Sequence, residues 1–308
     1  MPELPHTVIY VAAPVQAALS RGHAVVALES SVIAQGLAIP HNRLAVDLMR
    51  AGVERAGAVP AITAVVRGVP SVGLSHDDLE RFLARTGVRK VSARDLAWCM
   101  TDGADGATTV AGTLALASRA GVTVFATGGI GGVHRDAPFD ESADLVELAR
   151  TPMIVVCAGA KSILDLPATL ERLETLGVPV LGYQTRELPG FFTAHTGLPL
   201  DASADSPARI AETWRHHRAL GRTGGMLVVQ PPPAHAALSE ELVAEATAYA
   251  LERARASGVR GGAVTPFMLA EVERLTEGAS VAANLALLEA NAVTAGEIAV
   301  ALADFHRR

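Results

Sequence analysis

The 308-residue chain carries 26 basic against 32 acidic residues, a net charge of −6, with half its residues hydrophobic and only 4% aromatic. That length accommodates one large α/β domain or two small ones, and the composition fills an interior. With no basic run and few aromatic rings, a nucleic-acid surface or base-stacking platform is excluded; no stretch reads as a membrane span or signal peptide, so the expected location is cytoplasmic.

Apolar runs alternate between strand-like and helix-like periods. Residues 24–28 (AVVAL) read as a buried strand, followed by a loop to Pro40 and an amphipathic helix over 41–56. Residues 61–73 hold two short apolar runs around Gly68-Val69-Pro70, a hairpin signal. A helix is expected over 77–85, a short strand carrying Lys90 over 88–91, a small-residue helix over 108–120 and a strand over 122–126. The glycine-rich run Thr127-Gly128-Gly129-Ile130-Gly131-Gly132-Val133-His134-Arg135 comes next, then a helix over 142–149. The run 153–157 is the most strand-like of all; it ends in Ala158-Gly159-Ala160-Lys161-Ser162 and is expected to enter a helix over 163–176. Strands over 179–183 and 226–230 follow, Pro231 to Pro233 break the chain, and residues 239–305 read as mainly helical. The alternation implies a mostly parallel or mixed sheet covered on both faces, in one domain spanning 1–308. In such sheets ligands gather at the carboxyl ends of strands. Glu29, Gly128 to Gly132 and Lys161 all fall just after expected strands, which makes them one candidate site.

Lysine usage adds a second signal. Lys90 and Lys161 are the only lysines, leaving 24 arginines. A coding bias toward arginine can leave two lysines by accident, but a retained lysine tends to mark a position where arginine cannot serve, because only an amine can lose its proton and act as a nucleophile. Small neighbours leave room at Lys161, and apolar surroundings favour its neutral form; a solvated lysine is the plainer alternative. Glu29, ending an apolar strand, suits proton donation, or else simply bonds nearby hydroxyls. The amides of Gly129, Gly131 and Gly132, with His134 and Arg135, could cradle a phosphate, although the run fits no standard nucleotide fingerprint. Lys90 could add a phosphate cation, or be a solvated partner of an acidic side chain. Asp140 could hold a hard cation that keeps most of its water, or cap the following helix. Asn284 and Asn291 are two of three asparagines, and amides suit a nucleobase edge or else simply cap a helix. Cys99 and Cys157 read as buried reduced thiols, and His216 and His217 as surface residues.

Taken in order, several runs resemble the pseudouridine-5′-phosphate glycosidase family, also called the indigoidine-synthase-A-like family. They are Ala27-Leu28-Glu29-Ser30-Ser31-Val32-Ile33-Ala34-Gln35-Gly36-Leu37, the glycine-rich run above, Ser142-Ala143-Asp144-Leu145, Val156-Cys157-Ala158-Gly159-Ala160-Lys161-Ser162-Ile163-Leu164-Asp165, Thr265-Pro266-Phe267 and Ser280-Val281-Ala282-Ala283-Asn284. The resemblance spans about residues 7–303. It implies a three-layer α/β/α sandwich, a homotrimer, and reversible cleavage of pseudouridine 5′-phosphate to uracil and ribose 5-phosphate with Mn2+. It further implies Glu29 as proton donor and Lys161 as nucleophile, with Lys90, Val110, Ser142, Ala143 and Asp144 along the substrate, Asp140 on the metal and Asn284 at the base. Glu141 and the stretch from Asp136 to Asp140 are the visible departures. A class I aldolase or sugar-phosphate isomerase would use the same lysine imine, and a non-catalytic sugar-phosphate regulator would use the same cup; release of uracil separates them.

Overall fold

The computed structural model describes residues 9–135, 139–259 and 264–307, so Asp136 to Pro138 of the departing stretch lie outside the described residues. The strands are β1 (Tyr10–Val11), β2 (Val25–Glu29), β3 (Val59–Val66), β4 (Val69–Val72), β5 (Arg89–Val91), β6 (Gly106–Thr108), β7 (Val124–Ala126), β8 (Val133–His134), β9 (Ile154–Cys157), β10 (Leu164–Asp165), β11 (Val180–Tyr183), β12 (Ala202–Ala204) and β13 (Met226–Val229). An 11-stranded sheet runs β1-β4-β3-β2-β7-β9-β13-β11-β12, with β6 paired to β3 and β5 to β6. β8 and β10 form a separate antiparallel pair.

From β3 through β12 the path is parallel, while β4 and β6 meet β3 antiparallel. Every residue of β2, β7, β9 and β13 is buried, which is why these strands read as unbroken apolar runs: helices cover both faces. The β3–β4 hairpin turns through Arg67 (φ 48°) and Gly68 (φ 80°), the paired positive angles that a two-residue hairpin needs. One hydrophobic cluster extends from Val15 to Leu302, with a satellite of Val65, Val91, Cys99 and Leu116 beneath β5 and β6.

The structure departs from the sequence expectation in four places, the first being a helical turn, Val32–Gly36, inside the loop expected to run to Pro40. The helix expected over 163–176 begins only at Leu166, after β10, with Asp165 as its cap. Lys161 therefore sits in a turn, not beside a helix N-terminus. The helix expected over 108–120 is Val110–Arg119, because residues 106–108 are a strand. The helix Ala279–Arg307 includes a stretch, Ala279–Phe305, apolar and long enough to cross a membrane, contrary to the expectation that none exists. It is a core helix: Ala283, Leu287, Leu288, Ala292, Ala295 and Ile298 are buried against helix His41–Arg55 and strands β2, β7 and β9.

Candidate active site

Because β2, β7, β9 and β13 are parallel neighbours, their carboxyl ends share one edge. That edge presents Glu29, then Thr127 and the glycine-rich run, then the Ala158–Lys161 turn, then Gln230. Two strips of main chain are zipped together there. Ala158 N donates to Gly128 O at 2.9 Å, Ile130 N to Gly159 O at 3.1 Å and Lys161 N to Ile130 O at 3.1 Å. Gly159 (φ +87°) turns the second strip, and a side chain at that position would strike the Pro189 carbonyl.

Glu29 is 6% exposed. Ser31 Oγ donates to its Oε2 and Thr127 Oγ1 to its Oε1, both at 2.5 Å. A knot of hydroxyls anchors the strand end behind it: Ser30 Oγ donates to Thr63 O at 2.7 Å, and Thr108 N donates to Ser30 Oγ at 2.8 Å.

Lys90 lies within electrostatic reach of this carboxylate and of Lys161. Desolvation is the main cause that lowers the Lys90 pKa, and the Lys161 charge lowers it further, while Glu29 and Asp144 act the other way. The Lys90 side chain is open to solvent by area, so the desolvation belongs to its surroundings at the mouth of the site rather than to full enclosure. Lys161 is half-buried. Lys161, Glu29 and Asp144 thus all act on the Lys90 amine.

Asp144 is an architectural residue. Its Oδ1 accepts from Ala111 N at 2.9 Å and its Oδ2 from Gly131 N at 2.8 Å, stapling the helix Val110–Arg119 to the glycine-rich run. That run is consequently less open than the expected phosphate cradle. Ile130 N and Gly131 N meet protein acceptors, and Val133 N donates to Thr169 Oγ1 at 3.0 Å. Gly129 and Gly132 amides have no protein acceptor among the described residues. Val110 is buried at the first position of its helix. Ser142, not Asp140, caps the helix Ala143–Arg150, accepting from Asp144 N at 3.2 Å, and Ala143 stands exposed in its first turn. His134 is half-buried on β8, with its amide donating to Asp140 O at 3.0 Å. Asn284 lies over the glycine-rich run, its Oδ1 3.5 Å from where a Gly128 Cβ would stand.

For Asp140, the described residues contain no group of three or more metal-ligating side chains. The carboxylate is half-buried and has no protein partner among them, and Glu141 is engaged by Arg172 Nε at 2.8 Å. A lone carboxylate suits a hard cation that keeps most of its shell as water.

Asn291 differs from the base contact considered from sequence. It is 1% exposed, its Nδ2 donates to the main-chain carbonyl of Thr127, and its Oδ1 accepts from Gln230 Nε2, whose own oxygen accepts from Thr294 Oγ1, two residues that sequence reasoning passed over. Cys99 and Cys157 are buried free thiols, and burial pushes Cys157 up to about 12, far from nucleophilic use. His217 is not a plain surface residue: its ring stacks on Trp214 and its Nε2 lies 3.1 Å from Gly224 O.

A family profile described as "Indigoidine synthase A like protein" matches residues 14–301. A protein of Gemmatimonas aurantiaca named pseudouridine-5′-phosphate glycosidase is 67% identical over 287 residues, 93% of this chain and 94% of that one. Its namesake in Herpetosiphon aurantiacus is 52% identical over 298 residues, 96% and 98% of the two chains. Among solved structures, the prealnumycin C-glycosynthase AlnA in complex with ribulose 5-phosphate superposes with a TM-score of 0.91 at 38% identity, covering 98% of this chain and 99% of its own. An indigoidine synthase A-like protein of Thermotoga maritima gives 0.89 at 31%, with the same coverage.

Proposed function

The chain belongs to the indigoidine-synthase-A-like family, and from that premise we propose that it cleaves the carbon–carbon glycosidic bond of pseudouridine 5′-phosphate, reversibly, to uracil and ribose 5-phosphate. The observation that carries this reading is that the buried carboxyl group of Glu29 and the turn bearing Lys161 end parallel strands on either side of β7 at one edge, with Lys90, the other lysine, in electrostatic reach of both.

The chemistry needs such a set. A base attached through carbon cannot depart directly without leaving as a poor carbanion. Glu29 gives a proton to the ribose ring oxygen as the ring opens, and the Lys161 amine bonds to the anomeric carbon. The nitrogen then returns a proton to the Glu29 carboxylate, and its freed lone pair forms an imine as the bond to the base breaks and the departing ring carbon takes up that proton. Water adds to the imine and releases open-chain ribose 5-phosphate and the free amine. Lys90 holds negative charge on the substrate at the mouth of the site, with Ser142 and Ala143 at a helix start as further phosphate donors, and phosphate binding fixes the geometry of the reacting end. His134, Gly129 and Gly132 are also phosphate donors in this reading, and Asn284 serves the base edge. Asp140 is the residue that would hold Mn2+, a cation that would offset phosphate charge when bound. A cytoplasmic homotrimer is the assembly and location this reading carries.

Purified protein given pseudouridine 5′-phosphate and manganese should release uracil, measured by chromatography. Borohydride with ribose 5-phosphate should add a reduced pentose phosphate to Lys161, read by peptide mass. Lys161→Arg keeps the charge, should abolish turnover and should not be labelled. An active enzyme that never acquires the adduct would falsify the covalent step.

A further inference from the structure

The Glu29 carboxyl group is the end of a longer buried chain of hydrogen bonds that starts on the C-terminal helix. Thr294 Oγ1 donates to Gln230 Oε1 at 2.8 Å, and Gln230 Nε2 donates to Asn291 Oδ1 at 2.8 Å. Asn291 Nδ2 donates to Thr127 O at 2.8 Å and Gly128 O at 3.3 Å, and Thr127 Oγ1 donates to Glu29 Oε1. Thr127, Asn291, Thr294, Gln230 and Glu29 are all under a tenth exposed. No water is required to complete the sequence of contacts.

The direction of the chain is fixed by chemistry. Main-chain carbonyls only accept, so the Asn291 amide must point its nitrogen at residues 127 and 128 and its oxygen at Gln230. That orientation sets the Gln230 amide, whose oxygen then takes the Thr294 proton. Three elements are tied this way: the C-terminal helix, the end of β13, and the segment after β7. The Thr127 peptide is gripped from both sides, because its N–H also donates to Val156 O at 3.0 Å. With its main chain clamped, the Thr127 Cα is held where its hydroxyl reaches Glu29.

We infer that Asn291, backed by Gln230 and Thr294, is a positioning residue for Glu29, acting through Thr127. The inference rests on Glu29 being the acid of the reaction proposed above. A buried polar network with every member satisfied rigidifies its surroundings. In this protein the rigidity is delivered to one carboxyl group, whose proton must meet the ring oxygen within hydrogen-bond reach.

The test is kinetic. Asn291→Ala should lower kcat about 100-fold, the scale of a small misplacement of a reacting group, while KM stays close to that of the parent. Thr294→Val removes one hydroxyl at constant shape, folds with the parent topology, and should lower kcat severalfold; it decides the matter if Asn291→Ala fails to fold. Both substitutions are repeated in a Glu29→Gln background, where positioning of a lost acid can no longer matter. There their effects should largely vanish, the non-additivity expected of residues that act as one unit. Equal effects in both backgrounds, or a lowered melting temperature with unchanged kcat, would overturn the inference and leave the network a role in stability alone. Full turnover by Glu29→Gln would remove the acid itself, and the positioning role with it. An inactive Glu29→Gln beside fully active Asn291→Ala and Thr294→Val would sink the positioning role while leaving the acid in place.

Discussion

At Lys90 the demands of folding and binding oppose each other. Its pKa lies below 10.5 in the folded chain, first through desolvation and then through the Lys161 charge, with Glu29 and Asp144 opposing. Between the folded and unfolded values the unfolded chain binds more protons, so stability rises with pH across that window. Below the folded value the full penalty for charging Lys90 applies. Lys90→Gln should therefore melt higher than the parent at pH 7, and the difference should shrink as pH approaches 10.5. The same substitution removes a charged partner of the substrate phosphate, worth about 1.5–3 kcal/mol, so KM should rise about 10- to 100-fold. Thermal melts across pH and a KM measurement check the two halves separately. A variant that melts lower at neutral pH would mean that the attraction to Glu29 and Asp144 outweighs desolvation.

Asp144 shows how one side chain joins elements. Both of its oxygens accept main-chain N–H groups, one from the helix Val110–Arg119 and one from the glycine-rich run. The packing is close: a Cβ at Gly131 would stand 2.6 Å from Ser142 Cβ and 2.9 Å from Asp144 Oδ2. Asp144→Asn keeps the shape but turns one acceptor into a donor facing an N–H. The buried clash should cost about 1–3 kcal/mol of stability, and kcat/KM should fall because Val110 and the glycine-rich run lose their common anchor. Urea titration and steady-state kinetics measure the two effects; a stable, fully active Asp144→Asn would show that the staple is dispensable. None of this was legible in the sequence, where Asp144 stood as one residue of a substrate-lining motif. The buried strands were legible, since β2, β7, β9 and β13 are apolar on both faces and so print as runs. β6 was not, because Gly-Ala-Thr has no apolar period and runs into a helical pattern. The late start of the helix after Lys161 was missed because Ile163, Leu164 and Leu166 join the helical period. The signals that mark it, Asp165 as cap and Pro167 in the first turn, were present.

The molecule as a whole is organised around the C-terminal helix Ala279–Arg307, which lies on helix His41–Arg55 and reaches the sheet at β2, β7 and β9. It brings Asn284 to Gly128 and Asn291 to the Thr127 carbonyl. The sequence marked these two asparagines by scarcity alone; which would face the site and which would brace it depends on contacts between residues more than 150 positions apart, beyond the reach of local periodicity. The two helices approach closely at small residues. A Cβ at Gly296 would stand 2.5 Å from Ala56 Cβ and 3.2 Å from Val53 O, and one at Gly52 would stand 3.1 Å from Glu289 O. The surface pair Arg55–Glu289, at 2.6 Å, adds no more than about 1 kcal/mol to that contact. Gly296→Val should therefore wedge the helices apart at a cost of about 1–3 kcal/mol. Because the displaced helix carries both asparagines, kcat should fall as well, although position 296 touches nothing in the site. The melting curve and kcat should move together, and saturating ribose 5-phosphate, by binding only the folded chain, should recover part of the melting temperature. A Gly296→Val enzyme that melts lower yet turns over at the parent rate would show that the site does not depend on the seating of this helix.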